Sequence, residues 1–86
     1  MRIEVEEFIL QVKDELLCFE GMEMKAEQWE KEFREWLKTS KAKKQIMESK
    51  GKFCIGIKDE EEIFEVADSY IDAISENNVA KYWNEF

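Results

Sequence analysis

The sequence predicts a mainly α-helical protein, a small bundle of three or four helices with one short extended or β segment near residues 53–57. Three observations predict it. Proline is absent and only three glycines occur in 86 residues, too little turn punctuation for most loop-rich or all-β architectures. Apolar residues recur at helical spacing along most of the chain. The one clear departure is Phe53, Ile55 and Ile57, which alternate with Cys54 and Gly56 at a period of two. The length fits a single helical domain spanning residues 1–86. With 44% apolar and 13% aromatic residues, the chain has the material for a core despite its charge, so disorder is not expected.

A first helix is expected from about Ile3 to Glu20. Val5, Phe8, Ile9, Val12, Leu16 and Phe19 form its apolar stripe, and Gly21 follows as a left-handed cap. Ile3, Leu10 and Leu17 lie seven residues apart on one flank, so the apolar surface is wider than one face requires. That flank meets either a second neighbour in the bundle or another chain, which makes it a candidate oligomer seam. Met1–Val5 also alternates, and a short strand before the helix is the other reading of that stretch.

One long helix is expected from residue 25 to about 49. Ala26, Trp29, Phe33, Trp36 and Leu37 share a face, with Ser40 and Met47 continuing the line. Thr39 and Ser40 are the place where it would bend or stop, because their hydroxyls compete for backbone hydrogen bonds, and Ser40 capping a short separate helix that ends near Ser49 is the alternative. Lys50-Gly51-Lys52 breaks the pattern. The extended segment at 53–57 needs a partner strand, and Met22–Met24, the N-terminus or the same segment of another chain are the options. Asp59 is the expected N-cap of the next helix, with Glu60, Glu61 and Glu62 at the positive end of its dipole. Ile63, Phe64, Ala67, Tyr70, Ile71 and Ile74 supply its apolar face, and Asn77-Asn78 ends it. A last helix carries Val79, Tyr82, Trp83 and Phe86 at i, i+3, i+4 and i+7.

Charge is segregated. The net charge is −8. Residues 1–24 and 53–86 are acidic, whereas 25–52 hold nine lysines and arginines against five glutamates. Within the middle part, Lys38, Lys41, Lys43, Lys44, Lys50 and Lys52 form a basic patch opposed only by Glu48. On the 60–76 helix, Glu61, Glu65, Asp68, Asp72 and Glu76 fall on the face pointing away from the apolar residues. Like charges at i,i+4 repel, and no lysine is interspersed between Asp59 and Asn77. The stripe reads as a solvated face or as a contact surface for something basic.

Catalytic chemistry finds little support. With no histidine, neither a Ser–His nor a Cys–His pair can form. Two cysteines without histidine do not close a zinc site. They are expected as reduced, packed thiols, with a Cys18–Cys54 disulfide as the alternative. Gly51-Lys52 lacks the surroundings of a phosphate loop. Asp68 and Asp72 alone make a weak cation site, so no metal and no cofactor is expected. No apolar run approaches the roughly 18 residues of a membrane span, and no basic-then-apolar signal opens the chain. The expected setting is cytoplasmic, in a bacterium or delivered there by a phage.

The function expected from these surfaces is that of a small acidic non-enzymatic protein-binding module. It would be an inhibitor or regulator that masks a basic surface of a partner, in the manner of antitoxins, immunity proteins or phage-encoded inhibitors, or by imitating nucleic acid. Glu61, Glu65, Asp68 and Asp72 would steer the encounter, and Tyr82, Trp83 and Phe86 would anchor it. A homo-oligomeric assembly subunit, joined through the Ile3–Leu10–Leu17 seam and the Phe53–Ile57 segment, is the alternative. Nucleic-acid binding through Lys38–Lys52 is a third, disfavoured by the net charge.

Overall fold

Residues 1–86 are described by a computed structural model, the side chain of Ser49 excepted. The alternating first residues are a strand, β1 (Arg2–Glu4), which runs directly into helix α1 (Val5–Leu17). The first helix is thus shorter at both ends than its apolar spacing predicts. Val5, Phe8, Ile9, Val12 and Leu16 are buried as expected, but Phe19 lies beyond the helix end and is exposed. Gly21, at φ +81°, serves the turn into the next helix rather than the cap of the first.

Helix α2 (Glu23–Trp36) buries Ala26, Trp29, Phe33 and Trp36. The expected single helix over 25–49 does not form. The Thr39 hydroxyl donates to the Trp36 carbonyl at 2.7 Å and accepts from the Ala42 N–H at 3.2 Å. One side chain therefore closes α2 and caps a separate short helix, α3 (Ser40–Gln45). Ser40 and Met47, placed by spacing on the apolar stripe, are both exposed.

The chain then extends into β2 (Ile46–Ser49), turns and returns as β3 (Lys52–Gly56). Lys50 at φ 53° and Gly51 at φ 78° supply the two left-handed residues of a tight hairpin turn whose twist matches the strands. The sheet is antiparallel in the order β1-β3-β2, so the extended segment is its central strand. Its partners are the N-terminus and residues 46–49. In register, Ile3 and Ile46 flank Ile55, and with Ile57 they present one apolar face to the helices.

Helix α4 (Glu61–Ser75) starts one residue later than expected, with Glu60 rather than Asp59 at the N-cap position. The Asp59 carboxylate accepts from the Glu62 N–H at 3.2 Å, and the Glu62 carboxylate accepts from the Lys58 N–H, close to a capping box. Asn77 at φ 56° ends it in the left-handed conformation that asparagine tolerates, and the Asn78 N–H bonds back to the Ala73 carbonyl. Helix α5 (Val79–Glu85) follows. The prediction of a mainly helical protein with a short extended segment therefore holds, with two further strands around that segment.

Helix α1 packs against both α2 and α4. A chain of ion pairs ties its outer side to α2. Arg34 holds Glu6 at 2.8 Å and Glu30 at 2.9 Å, and Lys13 holds Glu30 at 2.6 Å and Glu27 at 2.9 Å. The hydrogen bond from Lys13, then that from Arg34, keeps the Glu30 carboxyl below its ordinary value of 4.5, and Arg34 does the same for Glu6. A lowered folded-state pKa contributes stability above the unfolded value and loses it as pH falls through the folded one. Urea unfolding should show Glu30→Gln less stable than the parent at pH 7. The gap should narrow as pH falls through the lowered folded-state value of the Glu30 carboxyl. A gap that stays the same over that fall would contradict this origin.

Candidate functional site

Glu61, Glu65, Asp68 and Asp72 are exposed on α4, and Glu76 is exposed at its C-terminal cap. Their counter-face, led by Ile63, Ala67, Tyr70 and Ala73, is buried. Among the described residues none of the five takes part in an ion pair, whereas Glu6 of α1 and Glu27 and Glu30 of α2 pair across those two helices. The ridge spans four turns of one rigid helix at spacings of three and four residues. Successive carboxylates are therefore about 4.5–6 Å apart along the axis. Phe64, three residues after Glu61 and four before Asp68, is 47% exposed on the flank of the ridge.

The three aromatics expected to anchor a partner face inward instead. Tyr82 is buried, accepting from the Trp29 indole at 3.1 Å and donating to the Val66 carbonyl at 3.1 Å. Half-buried Trp83 donates to Glu32 at 2.7 Å, and Phe86 meets Trp36 edge-on at 4.8 Å. The i, i+3, i+4, i+7 stripe of α5 closes the open side of α2 and α4. Its rings are occupied with core partners, and burial pushes the Tyr82 hydroxyl well above its ordinary value of 10.

Glu32, which sequence reasoning missed, organises this end of the molecule. Its Oε1 accepts from both Trp83 Nε1 and the Tyr70 hydroxyl, the latter at 3.1 Å, and its Oε2 accepts from Gln28 at 2.8 Å. A signal existed: Glu32 lies three residues after Trp29 and four before Trp36, on the border of the apolar stripe.

The basic patch is dispersed over three elements. Lys38 lies in the turn after α2 and pairs with Glu35 at 3.3 Å. Lys41, Lys43 and Lys44 lie on α3, where Lys41 donates to the Asn84 carbonyl at 2.9 Å. Lys50 and Lys52 lie in the hairpin, with Lys52 paired to Glu4 at 3.1 Å. All six are exposed, but they do not share one helix face.

The expected seam is broken as well. Ile3 belongs to β1 and is buried against Ile55, because an extended residue does not continue a helical heptad. Leu10 and Leu17 remain 53% and 48% exposed on α1. Nor can β3 join a second chain by strand pairing, since both its edges are taken.

A groove of about 770 Å³ opens where the hairpin overhangs the start of α1 and the end of α2. Val5, Leu37, Ile46 and Phe53 form its apolar walls. Both cysteines are free thiols. Cys18 is exposed at the end of α1, where a packed thiol was expected, and Cys54 is half-buried in β3. Among the described residues no three histidine, cysteine or acidic side chains are grouped to hold a metal, and no helix is long and apolar enough to cross a membrane. No protein-family model, curated protein or solved structure matches the chain.

Proposed function

We propose that the chain is a non-enzymatic protein-binding module of the cytoplasm that engages a basic surface of a partner through α4, acting as an inhibitor or regulator by occupying that surface. One observation carries the reading: five carboxylates stand exposed along one face of α4 and its C-terminal cap and, among the described residues, without ion-pair partners, whereas Glu6, Glu27 and Glu30 pair across α1 and α2. Keeping such a row on one helix costs like-charge repulsion of a few tenths of a kcal/mol per pair. A cationic partner turns that repulsion into attraction, and the uniform sign steers the encounter. Phe64, beside Glu61 and Asp68, takes the anchoring role that Tyr82, Trp83 and Phe86 cannot fill.

The test is the fourfold variant Glu61→Gln, Glu65→Gln, Asp68→Asn, Asp72→Asn. Partners captured by the parent protein from its host are identified, and association kinetics are then measured for both forms. The variant should fold normally and associate about tenfold more slowly at low salt. Its rate should also depend less on ionic strength. Equal rates for the two forms would remove the reading. Displacement of the partner by heparin would indicate that the masked surface normally binds nucleic acid.

A further inference from the structure

The hairpin side of the molecule carries a second surface, different in character from α4. Strand β2 is an edge of the sheet, so its outward N–H and C=O groups have no ladder partner within the chain. Phe53, at the hairpin end of β3, is 59% exposed and Met47 on β2 is 47% exposed. Phe53 and Ile46 also wall the groove, with Leu37 and Val5 beneath. Its rim holds both signs, Glu4, Glu6 and Glu48 against Lys43 and Lys52. Glu6 pairs with Arg34 and Lys52 with Glu4 within the chain, which among the described residues leaves Glu48 and Lys43 free to meet another copy.

A rim of mixed sign is a poor match for a uniformly basic or acidic partner, but it is complementary to itself after a two-fold rotation. Antiparallel pairing of β2 with β2 of another copy has that two-fold symmetry, and it satisfies the free edge of each. We infer that the β2 edge and the adjoining groove form a homodimer interface. Each copy's Phe53 is covered by the other's groove, and Lys43 of one rim faces Glu48 of the other. None of the α4 acids lines the groove, and a ridge of one sign repels its own copy, so the dimer leaves both ridges outward. The inference stands independently of the function assigned to α4.

Sedimentation velocity of the whole chain, from micromolar to millimolar concentration, tests it. The parent should pass from monomer to dimer, and the dimer should weaken as salt rises. Phe53→Asp should raise the dissociation constant about tenfold or more. Its far-UV circular dichroism should be unchanged, since the residue is exposed. Leu10→Asp with Leu17→Asp should dimerise like the parent, as should the fourfold α4 variant. A monomer throughout the range would overturn the inference. So would a dimer that survives Phe53→Asp, or one that dissolves on changing Leu10 and Leu17 or the α4 acids. Failure of the α4 reading would appear separately, in the association kinetics with the captured partner.

Discussion

Trp29→Ala is expected to cost about 3–5 kcal/mol, a large part of the roughly 4–13 kcal/mol that holds a domain of this size together. Trp29 is fully buried and stacks on Phe33 at 4.9 Å with the rings 10° from parallel. Phe8 lies 6.2 Å away on α1 and Trp83 6.2 Å away on α5. The indole therefore joins three helices. Its removal leaves a cavity that rigid neighbours cannot fill, and it deprives the buried Tyr82 hydroxyl of its donor. Urea unfolding followed by far-UV circular dichroism measures the loss. Leu10→Ala, on an exposed side chain of α1, should shift the same curve by less than about 0.5 kcal/mol. A Trp29→Ala protein as stable as the Leu10→Ala protein would mean that the aromatic face of α2 is not the centre of the core.

Glu32→Ala is the second large effect, about 2–4 kcal/mol, because two donors lose one acceptor. Trp83 Nε1 and the Tyr70 hydroxyl both point at the same carboxylate oxygen. Glu32→Gln keeps a carbonyl in place and should lose roughly half as much. A second measurement separates this pairing from general loosening. Burial first, then the charge of Glu32 and its hydrogen bond, raises the Tyr70 hydroxyl above its ordinary value of 10. A raised acid stabilises the fold below the unfolded pKa and loses that stability as pH climbs beyond about 10. In Glu32→Gln the Tyr70 titration should move down, followed by tyrosinate absorbance. An unmoved titration would show that the carboxylate does not act on this hydroxyl.

The helices were legible where burial alone decides the pattern. On α1 and α4 one face meets the core and the other meets water, so spacing reveals both the element and its inner side. Residues 37–49 were not legible, because their local preferences and their tertiary role disagree. Lys41–Gln45 are good helix formers, and Ile46–Ser49 lacks the alternation of a strand. Its extended form comes from pairing with β3, which a local window does not contain. Ile3 misled for a related reason: seven-residue spacing to Leu10 and Leu17 carries no meaning once the residue lies in a strand. The α4 ridge was legible because exposure is the default for carboxylates. The inward placement of Tyr82, Trp83 and Phe86 was not, since an amphipathic helix shows that it has an apolar side but not whether its own chain covers that side.

The placement of the indoles shapes how this molecule can be watched as it unfolds. Trp29, Trp36 and Trp83 all join one ring cluster through Phe33 and Phe86, while β1, β2 and β3 contain neither tryptophan nor tyrosine. Intrinsic fluorescence is therefore a single-region gauge, blind to fraying of the strands, and a smooth emission curve alone does not establish all-or-none melting. The strands carry their own reporter in half-buried Cys54, whose sulfhydryl becomes open to a labelling reagent when that layer opens.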